Sequence, residues 1–264
     1  MRAAAVLAAA LLLAPPVLAA APNAPARASA PNAFDLYVAG RFDDAMKAGA
    51  ASGNALGLVT AARAALADAQ TRTDPCLDCF KRAEDFARQA IARDPRVAEA
   101  HVFLAVAMGY EARIIGPVWA RAHDYPGQAK QELNAALTLN PKDAWALGAL
   151  GGWNIEIVRT GGARLASWIY DASDDKGLAA FTAAFKQAPD NLSVRFQYAL
   201  SLSGYDTDRF RPQIDDALAR VAKLKPATAY EQVAQHRAAE LAALLKKGDR
   251  DAFDAKVHRY QGYP

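Results

Sequence analysis

Small and apolar residues recur along this chain at helical spacing, and each such run stops near a proline. Pro95, Pro141, Pro189 and Pro226 close the segments IARDP, LTLNP, FKQAP and AKLKP. Five residues before them stand Ala90, Ala136, Ala184 and Val221; eight before, Ala87, Leu133, Phe181 and Leu218; twelve before, Ala83, Ala129, Gly177 and Ile214. These offsets share one face of a helix, and proline, which lacks a backbone donor and pushes its predecessor out of the helical region, ends it. A second pattern follows the first three prolines. Nine residues on come Leu104, Leu150 and Tyr198, and ten on come Ala105, Gly151 and Ala199. The patterns together predict helix pairs that meet through small side chains, with the last pair over Ala227–Ala243 and Asp249–Tyr260, turned by Lys246-Lys247-Gly248-Asp249.

Composition sharpens this to an all-α fold. The chain holds 65 alanines against 28 valines, isoleucines and threonines combined, and alanine is the strongest helix former whereas β-branched residues favour sheets. Apolar residues make up 53% and charged residues 22% of the 264 positions, which excludes collagen-like and strongly disordered classes. The net charge is +3 with no basic block, so nucleic acid is not an expected partner.

The repeat carries a resemblance. Adjacent Leu/Gly-type positions in the first helix, the turn Tyr37-Val-Ala-Gly40-Arg-Phe42-Asp-Asp-Ala45 and the small-residue-to-proline close resemble the tetratricopeptide repeat family over roughly 31–226. The implied fold is an α-α solenoid of about five helix pairs. Plain repeats of that family are about 34 residues long, whereas the proline intervals here are 46, 48 and 37. The first two units therefore carry insertions between helix A and helix B, placed at Glu111–Tyr125 and Ile155–Asp171 and expected side by side at one edge. In outline the chain is similar to the periplasmic T-component of tripartite (TRAP) transporters, which implies a protein partner in the cell envelope, a solute-binding protein among the candidates. It is also similar to tetratricopeptide lipoproteins of outer-membrane assembly. The resemblance places Val102, Val106, Tyr110, Trp145, Gly152, Glu156, Phe196 and Leu200 on a concave face, which is apolar and lacks the basic residues that clamp a peptide carboxylate.

The N-terminus reads as an export signal. Met1-Arg2, an apolar stretch to Ala14, Pro15-Pro16 and Val17-Leu18-Ala19 supply charge, core, breaker and small residues before a cut after Ala19. The organisation expected is a signal peptide over 1–19, a flexible leader over 20–32 and a helical-repeat domain over 33–264. The mature protein is expected to be periplasmic, with no membrane span left after cleavage. The two cysteines, Cys76 and Cys79, follow Asp74-Pro75, an N-cap and first-turn pair that places both in the opening turn of a helix. In an oxidising compartment they form a local disulfide; a redox pair is the sharper alternative.

Chemistry is sparse elsewhere. The phosphate-loop, GxGxxG, GxSxG and HExxH motifs are missing, and His101, His123, His236 and His258 lie far apart. No catalytic residue, metal or cofactor is expected, and the protein reads as a non-enzyme. The unusual residues gather at the insertions: Tyr110, Arg113, Trp119, Trp145, Trp153, Glu156, Arg159 and Trp168, with Gly152 and Phe196 on the adjoining face. They serve either as the insertions' own small core or as a recognition patch, since Trp, Tyr and Arg dominate binding hot spots. The function expected is a scaffold that binds a partner protein or apolar segment through this face, the alternative being a carrier of a small hydrophobic ligand. Self-association of the apolar face is a further expectation.

Overall fold

The computed structural model describes residues 32–264. The expected signal peptide and all but Asn32 of the leader lie outside the described residues. Thirteen helices form the described chain, with no strand among them: α1 (Ala33–Val38), α2 (Phe42–Ala51), α3 (Ala55–Thr71), α4 (Leu77–Arg93), α5 (Ala98–Ile115), α6 (Pro117–Ala122), α7 (Tyr125–Leu139), α8 (Ala144–Tyr170), α9 (Asp174–Gln187), α10 (Leu192–Asp206), α11 (Arg211–Lys223), α12 (Ala229–Lys247) and α13 (Arg250–Tyr260).

Successive helices pack as α1/α2, α3/α4, α5/α7, α8/α9, α10/α11 and α12/α13, six pairs where about five were expected. The sequence offsets are the pairing surface. Every residue five, eight or twelve positions before the four prolines is buried in α4, α7, α9 or α11. Short polar caps start α8, α10 and α12: Asp143 accepts from the Trp145 and Ala146 amides at the head of α8, Asn191 from Val194 in α10, and Thr228 from Glu231 in α12. Each satisfies an amide that the first helical turn leaves open, at roughly 1 kcal/mol per cap.

The small residue ten positions after a proline has a specific partner. A Cβ on Gly151 would stand 2.6 Å from the Phe181 ring, so only glycine lets α8 approach α9 this closely. Both insertions turn out to be largely helical. The first lengthens α5 and adds the short α6; the second lengthens α8 to 27 residues, broken at Gly162, whose φ of 74° and ψ of 153° only glycine adopts readily. The distal turns of α8 are thereby redirected.

One local expectation is corrected. Helix α4 starts at Leu77 with Cys76 as its N-cap residue, so Asp74 and Pro75 precede the helix and only Cys79 lies in its first turn. The bridge between Cys76 and Cys79 spans a Cα separation of 5.2 Å and joins the cap residue to that turn.

The array closes on itself. The inner helices α3, α5, α8, α10 and α12 each touch the next, and α12 reaches back to α3 and α1. Arg237 of α12 donates to the backbone oxygens of Gln70 (2.6 Å) and Thr71 (3.2 Å) at the end of α3. Those oxygens are among the carbonyls that a helix C-terminus leaves without internal partners, and a guanidinium satisfies them with charge-assisted hydrogen bonds. The concave face of the solenoid is consequently the wall of a cavity.

Candidate functional site: a central apolar cavity

The five inner helices enclose a cavity of about 580 Å³. Its walls are built from the small and apolar positions of α5 and α8, including Val102, Val106, Gly109, Gly148, Ala149 and Gly152. The volume falls within the range of small-molecule sites, which are concave and mostly apolar with a few placed polar groups.

Polar groups converge in two networks. In the first, Gln70 of α3 accepts from the hydroxyls of Tyr110 of α5 (3.2 Å) and Tyr230 of α12 (2.7 Å). Gln197 of α10 donates its amide to the same two hydroxyls, at 3.5 and 3.3 Å. Four helices are thus tied by four side chains that all line the cavity. Burial raises the Tyr230 phenol well above its ordinary pKa, so it stays a neutral donor.

The second network joins α5, α8 and the C-terminus. Arg113 donates to the Gln261 backbone oxygen at 3.0 Å and faces Glu156 at 3.4 Å, while Arg159 reaches Glu156 at 2.8 Å. The Tyr263 hydroxyl donates to Glu156 and accepts from Arg159, and the Arg113 guanidinium sits 5.0 Å from the Tyr110 ring centroid and 5.7 Å from that of Tyr263. Burial alone would raise the Glu156 carboxyl. The charge of Arg113 and the hydrogen bond from Arg159 outweigh it and hold the group at about 2.

The expected site residues divide into three sets. Tyr110, Arg113, Trp145, Gly152, Trp153 and Glu156 line the cavity, and Arg159 stands behind Glu156. Trp119 and Trp168 lie outside the lining, exposed at 64% and 83%. Phe196 is corrected: it is 2% exposed and packs into the C-terminal core with Leu200 and Ile214, because α10 turns this position away from the cavity. The aromatics of the insertions therefore split between the two roles considered. Trp153 donates to the Pro126 carbonyl at 3.0 Å, carries Lys130 over its ring at 4.4 Å and meets Tyr170 edge-on, which makes it a packed wall residue. Trp119 and Trp168 are surface.

Several site residues escaped sequence reasoning. Gln70, Gln197, Tyr230 and Tyr263 belong to segments far apart in the chain, and no local pattern marks them. Arg63 left a signal, as the one charge between Leu56 and Ala67 on an alanine-rich helix. It lines the cavity, pairs with Glu99 at 2.5 Å and lies 5.3 Å from the Phe103 ring centroid.

Glu111, in sequence only the start of the first insertion, is a fully buried acid between the wall residues Tyr110 and Ala112. Its carboxyl is pushed up to about 8, first by burial and then by Glu84 of α4; the Tyr125 hydroxyl of α7 and Lys81 of α4 pull the other way. Folded protein thus keeps a proton that unfolded protein releases near 4.5, and stability falls as pH rises from there toward 8. Glu111→Gln retains a donor for Glu84 without the charge. It should match wild type at pH 5 and exceed it by on the order of 3 kcal/mol at pH 9, read by urea unfolding. Equal stabilities at both pH values would contradict this.

Among the described residues no cluster of three or more His, Cys, Asp or Glu side chains is placed to hold a metal ion. His101 is held by Glu132 at 2.6 Å and the Pro95 carbonyl at 2.9 Å. No helix of the described residues is long and apolar enough to cross a membrane.

No curated protein matches this chain. Residues 47–246 match the family model described as Regulator of microtubule dynamics protein 1-3, a span that contains all four of the helix-ending prolines, Pro95, Pro141, Pro189 and Pro226. That span is about three quarters of the sequence and contains most of the cavity wall, and on it the chain belongs to the family of regulators of microtubule dynamics proteins 1-3.

Proposed function

We propose that this protein is a non-catalytic, exported, tetratricopeptide-like binder that holds an apolar ligand in its central cavity. The supporting observation is the cavity itself: about 580 Å³ lined chiefly by apolar and small side chains, with its polar groups already engaged with one another. Burying apolar surface is the main force such a wall offers a ligand, at about 25 cal/mol per Å² removed from water. The two tyrosines, two glutamines and Arg113 give one polar boundary against which a ligand's polar end would sit.

The carrier reading is favoured over an open protein-docking groove by the closure of α12 onto α3, since a closed wall suits a molecule or a short inserted segment better than a partner's long helix. Export rests on the N-terminal sequence pattern and on the Cys76–Cys79 bridge, a bond that persists in oxidising compartments. The family's description speaks of microtubule dynamics in the proteins it is named for; the reading for this chain rests on the cavity. A partner in the cell envelope, a solute-binding protein included, would be what delivers or accepts the ligand.

The test is native mass spectrometry of the mature protein purified from the compartment it is exported to, together with titration of the apolar fluorophore N-phenyl-1-naphthylamine. A bound mass that is lost on denaturation, and displacement of the fluorophore by the extracted compound, is the expected result. A bare polypeptide mass combined with no fluorophore uptake would overturn the carrier reading.

A further inference from the structure

The surface around the cavity opening carries its own chemistry. Val118 of α6 and Leu165 and Ile169 of distal α8 line the cavity and are nevertheless 80%, 46% and 37% exposed, which places them at its mouth. Trp119 and Trp168, at 64% and 83% exposure, stand beside them on the same two helical segments. These five make up most of the large apolar side chains exposed among the described residues, and they fall on two short stretches. Both stretches are projected by glycine-dependent backbone, Gly116 before α6 and Gly162 within α8.

Within the two stretches the charge is positive only, and the acids that follow them are Asp124 and Asp171, the latter paired with Lys176 at 2.5 Å. From Ala112 to His123 and from Ile157 to Tyr170 there is no aspartate or glutamate, while Arg121 and Arg164 are exposed. Arg41, Arg72, Arg88, Arg211, Arg220 and Arg250 each sit on a neighbouring acid, whereas exposed Arg82, Arg93 and Arg259 form no such pair and lie apart from any cluster of exposed tryptophans. Arg121 and Arg164 have no acidic partner among the described residues.

We propose that this patch is a docking surface for an anionic lipid bilayer, with Val118, Trp119, Leu165 and Trp168 entering the interface and Arg121 and Arg164 meeting lipid phosphates. Tryptophan is the side chain that best suits the boundary between headgroups and acyl chains, and unpaired cations around an apolar tip are what an anionic surface attracts. The mouth would then open onto the bilayer, and an apolar ligand would pass between membrane and cavity without crossing water. The proposal goes beyond the carrier reading and rests on the patch alone, so it stands or falls whether or not the cavity is loaded.

Co-sedimentation of the mature full chain with phosphatidylcholine vesicles, with and without phosphatidylglycerol, tests it. Both tryptophans are exposed, so Trp119→Ser/Trp168→Ser should keep the wild-type circular dichroism and melting curve. The expected result is partition onto phosphatidylglycerol vesicles that falls about tenfold or more in the double variant and is weakened by high salt or by omission of the anionic lipid. Failure to partition onto either vesicle, or equal partition by the double variant, would overturn the proposal. So would a concentration-dependent dimer in sedimentation velocity that the same substitutions dissociate while vesicles go unbound, since the patch would then belong to a second copy of the chain. Fluorophore uptake by the double variant, measured in parallel, separates this result from the fate of the cavity reading.

Discussion

Glu156→Ala lowers the unfolding free energy by about 3–5 kcal/mol at neutral pH, because it strands the Arg113 guanidinium in a buried site. Arg113 keeps only the Gln261 carbonyl and two tyrosine faces when the carboxylate is gone, and Tyr263 and Arg159 lose the group on which both converge. The loss falls on the contact that fastens the C-terminus to α5 and α8, so protease sensitivity of the C-terminal residues should rise together with the drop in urea midpoint. Glu156→Gln keeps the shape and one acceptor and should lose less. The pH dependence has a definite sign. A carboxyl held at about 2 in the folded protein and titrating near 4.5 when unfolded stabilises fully above 4.5 and loses that stabilisation as pH falls toward 2. The gap between wild type and Glu156→Ala should therefore narrow on acidification. A gap unchanged between pH 7 and pH 3 would show that the carboxylate's charge is not what stabilises the site.

Gly109→Trp combined with Gly152→Leu abolishes uptake of the apolar fluorophore while the protein stays folded. Gly109 is a helix-interior glycine that lines the cavity, and a Cβ there would meet no heavy atom within 4 Å. At Gly152 a Cβ would find only Ser201 Oγ at 3.5 Å and Phe181 Cζ at 4.0 Å, ordinary contacts. Both substitutions remove a helix-interior glycine, which is worth roughly 0.5–1 kcal/mol each in helix propensity, so the melting temperature should hold or rise. Affinity for the fluorophore should fall by about 100-fold or more, equivalent to about 2.7 kcal/mol. Loss of stability without loss of uptake would mean that ligand binds elsewhere. Gly151 is the control from the same helix: a side chain there collides with Phe181 at 2.6 Å and should unfold the α8/α9 pair instead of blocking the cavity.

How far the site could be read ahead depended on the range of the interactions involved. Tyr110, Arg113, Trp145, Gly152, Trp153 and Glu156 were legible because they recur at helix-A positions or cluster in the two long connections, and all six line the cavity. Register alone puts Phe196 on the same face, but it lies in the core, since a residue's facing depends on how α10 rolls against α11, α12 and α13, and periodicity leaves that rotation open. Trp119, Trp153 and Trp168 look alike in sequence, each in or beside an insertion. One is wall and two are surface because the break at Gly162 and the separate α6 decide which way each segment points.

The all-α class, most of the helix pairs, the stops of α4, α7, α9 and α11 near their prolines and the small residues that meet between paired helices were legible in the chain alone. These follow from helical periodicity, capping and proline, all of which act within about four residues along the chain. Closure of the solenoid, and the conversion of its concave face into a cavity, emerge only from long-range packing. The hydrogen bond from Tyr230 to Gln70 spans 160 residues, and Arg237 reaches Gln70 across 167. Such contacts depend on the summed curvature of six helix pairs, a quantity that small rotations at every interface accumulate and that no local pattern encodes.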